Sequence, residues 1–321
     1  MDKNGDHDCS TTLISVVTPC YNEEENVEEC YRQVKELFGS LGKYRYEHIF
    51  IDNASRDNTR AILRRLAASD KNVKLIFNSR NFGHIRSPYY GILQAHGDAV
   101  IPFVADLQDP IALIPQFIEK WEAGYKIVMG IKRRSQESPS MFMVRQMYYH
   151  LVRYLSEIEL TSSFYGFGLY DRKVIEILKR IDDPYPYFRG LIADIGFPPA
   201  KIEYAQPRRE RGITKNNFYT LYDLAMLGII NHSKVPLRLA TLSGFCVAGL
   251  SLVVAFVYTL YKLFFWNNFQ VGMAPLVIGI FFFGAVQLFF TGILGEYIGA
   301  IHTQVQKRPL VIESERINFD D

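Results

Sequence analysis

The sequence predicts an α/β domain with a doubly wound, mainly parallel sheet, followed by two membrane-spanning helices. Two observations predict it. Short β-rich runs alternate with helical stretches through the first 130 residues, at the spacing of strand–helix–strand units. Beyond residue 238 charge disappears: none falls between Ala240 and Tyr261, or between Met273 and Gly295. Each run is long enough to cross a hydrocarbon core of roughly 30 Å.

Taken in order, Leu13–Thr18 is a short strand ended by Pro19, and a helix opens at Asn22-Glu23-Glu24-Glu25 and runs to Phe38. Acids in a first turn suit the helix dipole. His48–Ile51 is a second strand, Asp57–Ala68 a second helix and Val73–Phe77 a third strand. Tyr89–Ala95 is a helix closed by His96-Gly97, Ala99–Val104 a fourth strand, Leu113–Glu122 a helix and Ile127–Gly130 a fifth strand. Ser138–Glu157 is helical with a basic face. Phe218–Ile230 is amphipathic and aromatic, and is either a packing helix or one lying in a membrane interface. No internal repeat or low-complexity segment interrupts the chain.

The apolar runs are spans rather than buried core helices because they are apolar all round and edged by Tyr258, Tyr261, Trp266 and Tyr297. Lys234 and Arg238 precede the first, and Lys307 and Arg308 follow the second, so the positive-inside rule places both termini in the cytoplasm. Small residues at Gly279, Gly284, Gly292, Gly295 and Gly299 permit close helix packing and a homo-oligomer. Residues 1–12 are polar and show no signal-peptide pattern. A net charge of +2 gives no bulk support for a nucleic-acid partner. Cys9, Cys20, Cys30 and Cys246 lack metal-type spacing and read as thiols in a reducing compartment.

Four motifs fall at predicted strand ends, where open α/β sheets bind ligands. Thr18-Pro19-Cys20-Tyr21-Asn22-Glu23 offers an aromatic plate that could hold a base between Tyr21 and Pro19. In Asp52-Asn53-Ala54-Ser55-Arg56-Asp57, Asp52 could accept from a base or ribose, while Asp57 is better read as a helix cap. Asn78-Ser79-Arg80-Asn81-Phe82-Gly83, followed by Gly91 and Gly97, reads as turn chemistry with Arg80 available to a phosphate. Phe103-Val104-Ala105-Asp106-Leu107-Gln108-Asp109-Pro110 clusters oxygen donors of the kind a hard divalent cation uses to carry phosphates. Its plainer reading is a helix start capped by Asp109, which leaves Asp106 and Gln108 for a metal.

Together and in this order, the motifs resemble those of the inverting, type-A-fold glycosyltransferases of family 2, in the branch that loads a sugar onto a polyisoprenyl phosphate. The resemblance covers nearly the whole chain, spans included. It implies a type-A fold over residues 13–215, an interface helix within 216–236, two spans within 237–300 and a cytoplasmic tail at 301–321. Pro19, Tyr21, Glu23 and Asp52 are assigned to the nucleoside of a nucleotide sugar, with Arg80 and Ala105 near it. Asp106 and Gln108 become ligands of Mg²⁺ or Mn²⁺ and of the diphosphate. Gly130-Ile131-Lys132-Arg133 stands in the place of the family's Gly-Ser-Arg, and Arg145 at a second phosphate-binding cation, so Lys132, Arg133 and Arg145 are expected to hold the acceptor phosphate. Arg209-Glu210-Arg211-Gly212-Ile213-Thr214-Lys215 resembles the Arg-x-x-Gly-x-Ser-Lys loop, which brings Arg209 and Lys215 to the diphosphate.

The implied activity is transfer of a hexosyl group from a UDP-sugar to polyisoprenyl phosphate at the bilayer surface. Two segments depart from the pattern. Val104 replaces the first acid of Asp-Ala-Asp, and Gly166 and Gly168 replace the acid and the arginine of the Asp-Phe-Arg-Leu segment. These departures keep alive a catalytically impaired nucleotide-binding scaffold as a second reading. A polysaccharide synthase fits less well, because the chain lacks a Gln-x-x-Arg-Trp motif and has only two predicted spans.

Overall fold

The computed structural model describes residues 12–132, 161, 164–205, 234–265 and 273–319. Its centre is an eight-stranded sheet of β1 (Leu13–Cys20), β2 (Arg45–Asp52), β3 (Val73–Asn78), β4 (Ala99–Pro102), β5 (Ile127–Lys132), β6 (Phe164–Asp171), β7 (Ala200–Tyr204) and β8 (Glu313–Ile317). The strand order is β7-β5-β6-β4-β1-β2-β3-β8. The half β4-β1-β2-β3 is parallel throughout, as the alternating pattern requires. The other half is mixed: β6 runs antiparallel to both β4 and β5, whereas β7 is parallel to β5.

Strand residues alternate between two cores, which is why the runs lack polar gaps. On one face Val16, Phe50, Leu75 and Phe77 pack with α1 (Val27–Ser40), α2 (Thr59–Ser69) and α4 (Ile114–Glu122). On the other Val17, Ile49, Ile51 and Ile76 pack with α3 (Gly83–Leu93), α5 (Arg172–Arg180) and α6 (Phe188–Asp194). Gly91 lies inside α3 rather than in a turn. A Cβ there would stand 2.9 Å from Ile51 Cγ2, so its role is close helix–sheet approach.

Helix starts shift where loops do other work. The first helix begins at Val27 instead of Asn22 because residues 22–26 are tied to the β2–α2 loop. Asn22 adopts φ 55°; its N–H donates to Ser55 Oγ at 2.8 Å and its Oδ1 accepts from Arg56 N–H at 2.8 Å. The N-cap position of α2 is Asn58, not Asp57, and it makes no side-chain cap bond; Asp57, one residue earlier, accepts from the first helical N–H, that of Thr59, at 3.1 Å. Helix α3 starts six residues before the expected Tyr89 and accommodates Pro88 within it.

Two long apolar helices follow, α7 (Val235–Phe264) and α8 (Met273–Gln306), each long and apolar enough to cross a membrane. The chain then returns to the sheet. Strand β8 adds antiparallel to β3, fixed by Asn318 Nδ2 donating to Ala67 O and Val73 O at 2.8 and 2.9 Å. Sheet residues before α7 and after α8 therefore belong to one folded body.

Glu47, 2 % exposed, is one of the buried acids of this body. Burial alone would raise its pKa, but Lys74 at 2.7 Å, Ser15 Oγ and the His96 N–H outweigh it and hold the carboxyl below its ordinary value. A depressed folded-state pKa contributes stability above the unfolded value near 4.3, which is lost as pH falls through the folded value. Glu47→Gln is expected to lower stability by about 3 kcal/mol at pH 7, with the gap to wild type closing in acid. Thermal unfolding of both proteins across pH 3–7 checks this; equal midpoints at pH 7 would contradict it.

Candidate active site

Parallel register brings the motifs to one edge. Cys20 pairs with Asp52 and Val17 with Pro102, so the residues after β1, β2 and β4 emerge side by side at the C-terminal ends of their strands. Asp52 is fully buried there. Its carboxylate accepts from Ser55 N–H at 3.1 Å and lies 3.4 Å from Arg60 Nε. Burial pushes its pKa up, and Ser55 and Arg60 offset part of that rise. Arg60 in turn rests 4.6 Å over the Phe77 ring and donates to Ser314 Oγ of β8 at 3.2 Å. Pro19 and Tyr21 are half-buried on the same edge. Glu23 is drawn into the local fold, with its carboxylate accepting from Asn26 Nδ2 at 2.7 Å and its carbonyl from the N–H groups of Asn26 and Val27.

The third motif is built around Asn53. Its Oδ1 accepts from Asn78 Nδ2 and Phe82 N–H at 3.1 and 2.8 Å, and its amide donates to Asn81 and Gly83 O. That network fixes the loop after β3. Arg80, at its exposed tip, stacks 4.0 Å over Phe82.

The expected fourth strand stops at Pro102, and residues 103–110 turn outward, with Leu107 at φ 57°. Ala105 is buried in the core. Asp106 accepts the Gln108 N–H at 3.2 Å, closing a turn that presents both residues at the strand end. Asp109 does not cap the following helix. The 3₁₀ turn Ile111–Leu113 lacks a side-chain cap, and Asp109 accepts from the Tyr204 hydroxyl at 2.7 Å instead. Burial raises the pKa of Asp109 above the usual carboxylate range, against the opposing pull of Tyr204 and Lys132.

Lys132, last residue of β5, pairs in register with Tyr204. Burial lowers its pKa, while Asp109 and Asp106 favour the charged form. A cation is thus placed between the Asp106 turn and its buried neighbour. Arg133, Arg145, Arg209 and Lys215 lie outside the described residues.

Asp106 and Gln108 supply one carboxylate and one amide oxygen. No group of three or more His, Cys, Asp or Glu that could hold a metal occurs among the described residues. This donor set fits a cation of the Mg²⁺ type, which takes one or two carboxylates and completes its shell with substrate phosphate and water. It does not fit a site closed by protein ligands alone.

Beside this edge opens a cleft of about 310 Å³. Strand β6 and the start of α6 reach it through Tyr165, Gly166, Phe167, Tyr187 and Arg189. Neither Arg189 nor the Asp109–Tyr204 pair stands out in the sequence; Tyr204 is 95 residues from its partner.

The sequence matches the family Glycosyl transferase family 2 over residues 15–182. The SfII prophage-derived bactoprenol glucosyl transferase of Shigella flexneri is 37 % identical over 302 residues, covering 93 % of this chain and 96 % of that protein. A prophage bactoprenol glucosyl transferase homolog of Escherichia coli K12 is 36 % identical over 93 % of this chain and 97 % of its own length. The uncharacterized glycosyltransferase YkcC of Bacillus subtilis is 35 % identical over 96 % and 95 %. Among solved structures, glucosyl-3-phosphoglycerate synthase from Mycobacterium tuberculosis, in complex with Mn²⁺, UDP and phosphoglyceric acid, superposes with TM-score 0.46. It is 20 % identical, over 68 % of this chain and 76 % of that one. A family match over more than half the chain and relatives aligned along nearly all of it show that this protein belongs to glycosyl transferase family 2.

Proposed function

We propose that the protein transfers a hexosyl group from a UDP-sugar such as UDP-glucose to undecaprenyl phosphate, with inversion, for modification of a cell-envelope glycan or lipid. The observation that carries this reading is the arrangement at the sheet edge: parallel register brings the strand ends bearing Asp52 and the Asp106–Gln108 turn to one edge, where Lys132 is coupled electrostatically to Asp106 and Asp109. Relatives named bactoprenol glucosyl transferases, which match this chain through both apolar helices, support the choice of acceptor.

In this scheme the buried Asp52 carboxylate accepts from the nucleoside. Asp106 and Gln108 would hold Mg²⁺ or Mn²⁺, which would supply charge neutralisation for the departing diphosphate. Lys132 positions the acceptor phosphate, with Arg133 and Arg145 as further cations. A phosphate oxygen forms the bond to the anomeric carbon as the carbon–oxygen bond to the diphosphate breaks, and the electron pair leaves with UDP. The attacking oxygen is already anionic near neutral pH, so a separate general base is not required. Holding two reactants in line contributes much of such a barrier reduction.

The helices α7 and α8 would anchor this edge at the headgroup level of the cytoplasmic membrane. Because β8 joins β3 in one sheet, a pair of spans must return to the side it left, and Lys234, Arg238, Lys307 and Arg308 favour the cytoplasmic side. The test supplies the purified full chain in detergent with radiolabelled UDP-sugars, undecaprenyl phosphate and Mg²⁺ or Mn²⁺. The expected product is chloroform-soluble label. Its absence with every common nucleotide sugar would overturn the proposal.

A further inference from the structure

Arg189 and Tyr165 line the apolar cleft, and the reaction scheme above does not use Arg189. Tyr165 is 49 % exposed, with Lys132 Nζ 4.5 Å and Arg189 Cζ 5.6 Å from its ring centroid. Arg189 also lies 5.2 Å from the Tyr187 ring and donates to Phe164 O at 3.3 Å, so the start of α6 holds its side chain at the cleft wall. Among the described residues neither cation makes an ion pair with a carboxylate within 4 Å. Asp109, the nearby acid, is engaged by Tyr204. Cations held beside apolar surface without an ion-pair partner favour an anionic ligand, and aromatic faces alone contribute only modestly to holding them.

Most of the rest of the cleft is apolar, walled by Val17, Ile85, Pro88, Pro102 and Val104, with His84 and the Tyr204-bound Asp109 as its polar members. Val104, which replaces an acid of the family pattern, is therefore part of the wall. A hexose or a nucleoside would leave its hydroxyl or amide groups unpaired against such a surface. Asp52 also faces the opposite side of the sheet: its ion-pair partner Arg60 rests on Phe77, in the α1–α2 core, whereas Val17, Tyr89 and Ile92 around the cleft belong to the α3–α6 core. The Asp52 carboxylate and the part of the cleft around Val17, Tyr89 and Ile92 thus lie on different faces of the sheet.

We propose that Arg189 and Lys132 clamp the phosphate of a polyisoprenyl phosphate across the Tyr165 ring, and that the cleft receives the isoprenoid units next to it. The inference rests on the acceptor reading above and adds a phosphate-binding residue and a lipid path. A guanidinium grips a phosphate through paired N–H donors, and the apolar wall selects a phosphate that carries a hydrocarbon chain.

The experiment uses the full chain in detergent with undecaprenyl phosphate as ligand and with UDP-glucose, or whichever donor the wild type accepts. Arg189→Gln is expected to raise the KM for undecaprenyl phosphate by about tenfold to a hundredfold, the loss of one charge-assisted contact. The KM for the donor should stay within about twofold, and Arg189→Lys should recover part of the loss. Tyr165→Ala, at a half-exposed ring, should raise the acceptor KM with the thermal midpoint unchanged. A parallel rise in donor KM, or an unchanged acceptor KM, would overturn the inference while leaving the transferase reading intact. Thermal stabilisation by undecaprenyl phosphate needs no turnover, and it should be present in wild type, reduced in Arg189→Gln and absent with inorganic phosphate. That pattern without sugar transfer would sustain the lipid site and overturn the transferase reading; a wild type that neither binds nor transfers would overturn both.

Discussion

Asp106→Asn is expected to reduce sugar transfer by at least a hundredfold while leaving the thermal midpoint within a degree or two of wild type. Asp106 sits on a turn after β4, half-exposed, and accepts locally from Gln108 N–H at 3.2 Å. An asparagine can still accept that bond, so the fold has little to lose. Catalysis is different. With Val104 in place of the first family acid, and Asp109 held by Tyr204, Asp106 is the remaining carboxylate suited to a divalent cation at this turn. Neutralising the diphosphate leaving group is worth several kcal/mol, and each 1.36 kcal/mol is tenfold in rate. Stabilisation of the protein by UDP should lose its dependence on Mn²⁺ in the variant, while residual binding through Asp52 persists. Transfer within tenfold of wild type would mean that the charge of Asp106 has no part in the reaction, and would favour the scaffold reading if wild type too is inactive.

The same contrast explains what was legible in the sequence. The parallel half of the sheet was readable because β1 to β4 are buried on both faces, so their apolar runs are continuous and bounded by turn residues. The position of Asp52 and Asp106 at neighbouring strand ends was readable because their strands were, and register does the rest. Strand β6 was not, because Gly166 and Gly168 break its apolar run, and its antiparallel course follows no helix-crossover pattern. Strand β8 was hidden differently. Glu-Ser-Glu-Arg-Ile alternates charge on an edge, where Arg64 pairs with Glu315 and Tyr90 donates to Glu313 at 2.8 Å, so its stability comes from partners more than 200 residues away. Asp109 was misread for a related reason. Its position before Pro110 is that of a cap, but a buried hydroxyl from β7 competes for the carboxylate and wins it. Local pattern cannot report a partner supplied by a distant strand.

Gly168→Ala is expected to destabilise the α/β domain by roughly 3 kcal/mol or more, although it adds a single methyl group. A Cβ at this position of β6 would lie 2.2 Å from Val128 O and 3.3 Å from Val128 C, both backbone atoms of β5. No side-chain rotation relieves that contact; the β5–β6 pair itself would have to separate, next to the register shift between Met129 and Ile131. Because β5 also carries Lys132 and pairs with β7, the disturbance would spread to the Asp109–Tyr204 contact. Gly166 makes the complementary case. Its φ of 105° disfavours any side chain, yet a Cβ there meets only Phe188 ring carbons at 3.7 and 3.8 Å. Gly166→Asp, which restores the acid of the family pattern, should thus cost about 1–3 kcal/mol from backbone strain and give no gain in transfer. Thermal unfolding of the two variants, with transfer measured on the same preparations, checks both expectations. A Gly168→Ala protein that melts with wild type would show that β5 and β6 are spaced more widely than these contacts imply, and a Gly166→Asp protein with faster transfer would show that the reaction does use a general base at that position.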